Sequence, residues 1–363
     1  MTLNPVIVTH SLGSYPVYVE PGVLERLDEL AIKHLPGRQI VMIADETVHG
    51  LYREARLGKP TWKGKTLTFP SGEKSKTRGS WATLSDSLLE RGIGRDGALI
   101  ALGGGVTGDL VGFVAATYMR GIPYLQVPTT LLAMLDASVG GKTAVDTPHG
   151  KNLIGAFHPP HAVIVDPRTL APLPERAYRA GLAEAVKHGL IADQGYFEWM
   201  EAEAATLAAR DLDALTRLIR RSIEIKAEVV SGDERELGRR AILNAGHTVA
   251  HALEQAFNYE LPHGEAVALG LVVECEIAER LGIAPQGLRS RVAGLLLRLG
   301  LPVRLGQQLE RTSLLETMSL DKKNRGHLIH FALPLRLGEM HRAPHWTTPV
   351  PADAIGAAME VLE

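Results

Sequence analysis

Along the first 166 residues, short apolar runs alternate with stretches in which apolar residues recur at helical spacing. Residues 16–19, 39–44, 66–69, 98–102, 124–127 and 163–166 read as strands bounded by turn residues. Between them, 22–34 and 77–91 read as helices, and in the second Trp81, Leu84 and Leu88 share one face. This alternation predicts an α/β domain with a mostly parallel sheet. Beyond Pro174 the texture changes to long helical patterns over 175–192, 211–232, 244–257, 265–281 and 286–299, with one late strand at 328–333. The prolines at 167, 172 and 174 mark the change. The chain is therefore expected to form an α/β domain over 1–170 and a mainly α-helical domain over 171–363, with a ligand site in the cleft between them.

Composition narrows the class without deciding the function. At 363 residues the chain exceeds what one hydrophobic core usually serves. A formal net charge of -2 gives no overall field for nucleic acid or an anionic membrane, so anionic ligands must be held by local basic clusters. Cys275 is the single cysteine, which excludes an intrachain disulfide and a cysteine-based zinc site. The first 17 residues lack a basic segment followed by an apolar core, and the apolar stretch 97–116 is interrupted by Asp109 and several glycines. Neither a signal peptide nor a membrane span is expected, and a cytoplasmic protein is the economical reading.

Four groups of residues carry candidate chemistry. In the first, a buried strand runs into Gly103-Gly104-Gly105 and then into a helix beginning near Val106, followed by Asp109. Glycines let backbone amides approach a phosphate, and a helix N-terminus adds partial positive charge, so a dinucleotide pyrophosphate suits this turn. The spacing departs from the common G-x-G-x-x-G fingerprint, and a tight strand–helix turn without a ligand fits the same residues. The second group comprises Thr129, Thr130, Asp136, Gly141-Lys142 and Gly150-Lys151-Asn152, in a polar, loop-like stretch where two glycine-borne lysines suggest a multi-anion site.

The third group places ionisable residues on apolar helical faces. Glu184 and Lys187 lie three apart among alanines, Val186 and Leu190, and Lys226 is in register with Ile219, Ile223 and Val230. Such groups need a partner, a metal or a ligand, although a lysine there can also snorkel or pair with a carboxylate. In the fourth group, Arg240, Asn244, His247 and His251 are spaced by four, three and four, which puts them on one helical stripe; His263 follows in Leu-Pro-His-Gly-Glu. Histidines at i and i+4 suit a metal, and His263 with Glu184 would complete nitrogen and oxygen ligation. By spacing alone, both His247 and His251 are ligands.

Together these segments resemble the 3-dehydroquinate synthase family. The resemblance is carried by Ser71-Gly-Glu-Lys-Ser-Lys76, Ala-Leu-Gly-Gly-Gly-Val-Thr-Gly-Asp109, Tyr-Met-Arg120-Gly, Pro-Thr-Thr130, Val-Gly-Gly-Lys142-Thr-Ala-Val, Gly-Lys151-Asn152, Gly-Leu-Ala-Glu184-Ala-Val-Lys187, Leu-Asn244-Ala-Gly-His247-Thr, Leu-Pro-His263-Gly-Glu and Asp321-Lys322-Lys323. It implies a divalent metal, zinc with cobalt as the alternative, on Glu184, His247 and His263, which makes His251 a catalytic or substrate-contacting histidine instead of a ligand. It implies NAD contacts at Asp45, Glu73, Lys76, Gly104, Gly105, Val106, Asp109, Thr129 and Thr130, with Thr169 and Pro172 also near the nucleotide. The substrate side comprises Arg120, Asp136, Lys142, Asn152, Lys187, Lys226, Arg240, Asn244, His251 and Lys322, and Lys151 sits where both ligands meet.

The implied reaction converts 3-deoxy-D-arabino-heptulosonate 7-phosphate, a phosphorylated sugar acid, to 3-dehydroquinate and phosphate in the shikimate pathway, and the family suggests a homodimer. Transient oxidation by NAD acidifies a neighbouring C–H, phosphate leaves by β-elimination, the hydride returns, and an intramolecular aldol step closes the ring. Pro172, Ala137, Asp146 and Ala250 depart from the residues frequent at those positions, and none removes an implied ligand. Another sugar-phosphate cyclase would share the metal and NAD motifs; a metal-dependent polyol dehydrogenase of related architecture is the further alternative, but it would release reduced cofactor and not need the lysine-rich phosphate pocket.

Overall fold

The computed structural model describes residues 3–52, 66–306, 310–319 and 328–363. They divide into two compact units, 1–173 and 174–363. Unit 1 contains β1 (Val6–His10), β2 (Gly13–Val19), α1 (Leu27–His34), β3 (Gln39–Asp45), α2 (Glu46–Tyr52), β4 (Thr66–Phe69), α3 (Arg78–Glu90), β5 (Gly97–Gly103), α4 (Gly105–Thr117), β6 (Tyr124–Pro128), β7 (Lys142–Thr147), β8 (Gly150–Phe157) and β9 (Ala162–Val165). Seven strands form one sheet in the order β1-β2-β9-β6-β5-β3-β4, parallel except for the antiparallel β1–β2 hairpin.

Both faces of this sheet are covered, which explains why β3 and β5 read as unbroken apolar runs. Met42, Ala44, Ile100 and Leu102 pack with Leu27 and Leu30 of α1 on one face. Val41, Ile43, Leu99 and Ala101 pack with Leu84 and Leu88 of α3 and Leu110 and Val114 of α4 on the other. Thr77 caps α3, its side chain accepting from the Ser80 amide at 3.1 Å. The chain steps outward from β3 to β4 and returns inward through β5 to β6, so the direction of winding reverses between β3 and β5. In open α/β sheets that reversal, at the carboxyl ends of the strands, creates the ligand crevice.

Unit 2 contains α5 (Glu175–Ala192), α6 (Gln194–Ala202), α7 (Ala204–Ala208), α8 (Leu212–Gly232), α9 (His247–Ala256), α10 (His263–Arg280), α11 (Leu288–Arg298), α12 (Arg311–Ser319) and α13 (Ala352–Ala358). α10 is buried along nearly its whole length and packs against α5, α9 and α11. Two glycines allow the close approach: a Cβ at Gly264 would fall 1.8 Å from the Ala180 carbonyl oxygen of α5, and one at Gly270 would fall 1.9 Å from the Gly246 carbonyl oxygen. Their absence of side chains brings the start of α10 against α5 and the start of α9 against the middle of α10.

Several expectations from the sequence need correction. The stretch around Lys142 and Lys151 is the β7–β8 hairpin, not a loop: Thr143, Ala144 and Val145 are buried in succession where β7 packs against α4, and β8 pairs along it. The late strand is one of four among the described residues: β10 (Ile329–Phe331) pairs with β13 (Thr348–Val350), and β11 (Pro334–Arg336) pairs with β12 (Glu339–Met340). These are two or three residues long, too short for a period-2 signal. No helix among the described residues is long and apolar enough to cross a membrane.

Candidate functional site

In unit 2 the oxygen of Glu184 faces two imidazoles. Its Oε1 lies 3.6 Å from His247 Nε2 and 3.6 Å from His263 Nε2, and donor atoms of the three residues lie within 4.8 Å of one another. Three ligands at about 2.1 Å from a tetrahedral cation would be separated by about 3.4 Å, so the arrangement fits a divalent metal with one position left open. The outer ring nitrogens are engaged: His247 Nδ1 meets the Ala245 carbonyl at 3.1 Å, and His263 Nδ1 meets Glu254 at 3.3 Å. An acceptor at Nδ1 fixes the proton there and leaves the Nε2 lone pair turned inward, the usual outer-shell arrangement of a metal-binding histidine.

The electrostatics agree with a site built for positive charge. Burial opposes charge on His263, yet Glu184 and Glu254 outweigh it and push its pKa up to about 9. His247 is held well below the ordinary histidine value by burial and by Lys187. Glu184 is fully buried, and Lys187, one turn along α5 and itself buried, forms an ion pair with its other oxygen. A cation at the centre would take the place of the proton that His263 otherwise binds.

The histidine stripe expected from spacing is broken. Arg240 and Asn244 lie on a short 3-10 turn (Arg239–Asn244), and Gly246, with φ of +81°, separates it from α9, which begins at His247. Only His247 and His251 therefore share a helix. The His251 ring packs edge-on to His247 at 5.6 Å and beside His263 at 6.4 Å, but its nitrogens do not join the convergent set. The Asp233 carboxylate holds the preceding segment by accepting the amides of Leu237, Gly238 and Arg240 at 2.9, 2.7 and 3.0 Å. Asn244 donates to Glu236 at 2.6 Å, and the buried Arg240 guanidinium donates to the Glu234 carbonyl. Lys226 is buried on α8, beside Ile219, Ile223 and Val230 on its inner face.

In unit 1 the expected residues gather at the carboxyl ends of the parallel strands. Asp45 ends β3, where its carboxylate accepts from the Val48 amide at 3.0 Å and the Ser71 hydroxyl at 2.9 Å. Gly104 precedes α4 without a capping side chain, so Gly105 and Val106 occupy a first turn whose amides are left to another acceptor. Thr129 follows β6, is buried, and donates its amide to the Gly103 carbonyl at 2.9 Å; the Thr130 hydroxyl accepts from the Ala133 amide at 3.3 Å. Lys76 Nζ donates to Asp109 at 2.5 Å and to Asn152 at 2.6 Å. Burial works against its charge, but Asp109 and Glu73 outweigh that and hold its pKa above the ordinary lysine value. Lys151 lies 3.9 Å from Glu73.

The remaining expected residues lie on other elements. Lys142 opens β7 and pairs with Phe157 at the end of the hairpin away from Lys151. Asp136 lies on a single π-helical turn, Ala133–Ala137. Arg120, at φ of +68°, follows the far end of α4, a helix of 13 residues and thus about 20 Å long. The Thr169 hydroxyl donates to the Asp166 carbonyl at 2.8 Å, and Pro172 is exposed in the connection beyond. Lys322 lies outside the described residues. Glu254 and Glu274 were missed by sequence reasoning. Glu274, buried on α10, accepts the Gly246 amide at 2.6 Å. Glu254 lies seven residues after His247, so helical spacing carried a signal for it; Glu274 carried none.

Comparison with known proteins decides the family. The model of the 3-dehydroquinate synthase N-terminal domain matches residues 66–180, and that of the C-terminal domain matches 181–324. The 3-dehydroquinate synthase of Symbiobacterium thermophilum is 46% identical over 353 residues, covering 96% of this chain and 98% of the relative. The chain belongs to the 3-dehydroquinate synthase family. Two solved structures share its architecture. A 2-deoxy-scyllo-inosose synthase complexed with carbaglucose-6-phosphate, NAD+ and Co2+ is 28% identical, with a TM-score of 0.88, covering 98% of this chain and 99% of the other. The 2-epi-5-epi-valiolone synthase of Streptomyces hygroscopicus subsp. jinggangensis 5008, with NAD+ and Zn2+ bound, is 29% identical, with a TM-score of 0.85 and coverage of 98% and 99%. As a 3-dehydroquinate synthase family member, the chain combines the α/β unit and the helical unit that these sugar-phosphate cyclases share.

Proposed function

We propose that the chain converts 3-deoxy-D-arabino-heptulosonate 7-phosphate to 3-dehydroquinate and phosphate. The observation that carries this reading is the convergence of Glu184, His247 and His263, with both outer ring nitrogens anchored, in a member of the 3-dehydroquinate synthase family. The donor set of two nitrogens and one oxygen fits zinc, or cobalt in its place. When bound, NAD supplies reversible oxidation of a carbinol and the metal supplies Lewis acidity toward its oxygen.

The chain's own residues bind and orient. Gly104, Gly105 and Val106 present amides to the dinucleotide phosphates, with Asp45, Glu73, Lys76, Asp109, Thr129 and Thr130 around it; Lys151, Thr169 and Pro172 belong to the same set. Lys142, Asn152, Arg120, Asp136 and Lys322 are assigned to the substrate, with Lys187, Lys226, Arg240, Asn244 and His251. A substrate carrying both a carboxylate and a phosphate suits so many cationic side chains. Much of the rate then comes from positioning, because one site serves several successive steps. The reading includes a cytoplasmic homodimer, to be checked by sedimentation of the purified protein.

A second reading is a sister cyclase acting on a sugar phosphate without the carboxylate, favoured by the TM-score of 0.88 to one such enzyme. Phosphate release separates the two. With the heptulosonate 7-phosphate, release that needs NAD, is abolished by a chelator and leaves no net NADH supports the first reading. Release from the carboxylate-free substrate alone overturns it.

A further inference from the structure

Asp146 occupies the hairpin of unit 1 with no task assigned to it. Its carboxylate accepts the Asn152 amide at 2.9 Å, and its own amide donates to the Lys76 carbonyl at 2.7 Å, beside a parallel bridge between Thr77 and Asp146. Asn152 holds φ of +56°, a left-handed conformation that asparagine tolerates better than most residues but still at a cost. In that conformation its side-chain oxygen accepts from Lys76 Nζ, which also donates to Asp109 on α4. Three segments therefore meet at one buried lysine, and the Asp146 carboxylate fixes the hairpin's contribution.

We propose that Asp146 is a positioning residue that pins the hairpin tip, keeping Asn152 and Lys151 beside Lys76 and so joining the nucleotide contacts to the substrate contacts. The pinning stands on geometry alone; the consequence for binding rests on the proposed function of Lys76, Lys151 and Asn152. Asp146 also sets the local charge. The half-exposed Glu73 is held above the usual carboxylate range, first by lost hydration and further by Asp146, against the pull of Lys76 and Lys151. An asparagine at this position keeps the acceptor oxygen and removes the charge, whereas an alanine removes both.

Hydrogen exchange of the Asn152 amide in the unliganded protein tests the pin, and NAD affinity with KM and kcat tests its use. In Asp146→Ala the amide should exchange about three- to tenfold faster, the worth of one hydrogen bond. The NAD Kd and substrate KM should rise by a similar factor, with kcat changed less. Asp146→Asn should restore wild-type exchange and bind NAD at least as tightly as the native protein. Wild-type exchange in Asp146→Ala, or an Asp146→Asn variant as impaired as the alanine one, would overturn the proposal. Faster exchange in Asp146→Ala from a protein whose wild type binds no NAD would support the pin and overturn the assignment of these residues as ligand contacts.

Discussion

Around Glu184, three side chains from three helices converge with nearly no freedom, whereas around Gly104 the groups on offer are mostly backbone amides and side chains from a strand end, a turn and a hairpin. The first arrangement concentrates the affinity in three donor atoms, each backed by one partner: Lys187 for Glu184, the Ala245 carbonyl for His247 and Glu254 for His263. The second spreads it over many weak contacts. Loss of one donor should therefore abolish function at the first site and only weaken it at the second.

The sharpest test of that contrast is His263→Ala, expected to lose more than about 100-fold in metal affinity, and with it turnover, while keeping native circular dichroism. Metal content measured after dialysis against a dilute chelator checks this, and full retention of zinc would end the assignment. Proton competition comes next. Because the cation must displace the proton held by His263, whose pKa is about 9, apparent cobalt affinity should climb about tenfold per pH unit from pH 7 and level off above 9. His247, held well below its ordinary value, is already neutral across that window and adds no slope. A flat profile between pH 7 and 9 would show that His263 does not ligate.

Glu254→Gln probes the outer partner and should cost about 10- to 100-fold in metal affinity. Since Glu254 helps hold the His263 pKa up, the same variant should move the rise in affinity to lower pH. The smallest effects belong to the glycine turn. A Cβ at Gly108 would meet Gln126 Nε2 at 2.0 Å, so Gly108→Ala should destabilise unit 1 by about 1–3 kcal/mol in thermal or denaturant unfolding. At Gly105 the nearest atom is Ala137 Cβ at 3.5 Å, so Gly105→Ala should fold normally and raise the NAD Kd a few-fold. Equal unfolding midpoints for the two variants would show that packing does not distinguish these glycines.

Much of the fold was legible from periodicity. α5 spans the residues that the pattern marked, and the strands around 39–44, 66–69 and 98–102 differ by at most one residue at either end. The candidate site was legible only in part: Glu184 stood out on an apolar helical face and the histidines by their spacing, but spacing also counted His251, and the set of Glu184, His247 and His263 came from the family resemblance. The β7–β8 hairpin was not legible, because β7 buries three successive residues and β8 is mostly exposed, so neither strand carries a period-2 signal. The break at Gly246 was not either, since spacing of four, three and four describes one helix equally well whether or not a left-handed residue interrupts it.

The sequence by itself determined most of the helices and the buried parallel strands, which of their faces are apolar and which residue types could bind a metal or an anion, because these follow from local periodicity and side-chain chemistry. The tertiary structure decided which histidine turns toward Glu184, which carboxylates stand behind the ring nitrogens, and that Arg120 lies a helix length from the glycine turn. Those choices depend on how closely α10 approaches α5 and α9, set by the missing side chains of Gly264 and Gly270. Contacts between residues tens of positions apart arise from packing, which no local pattern encodes.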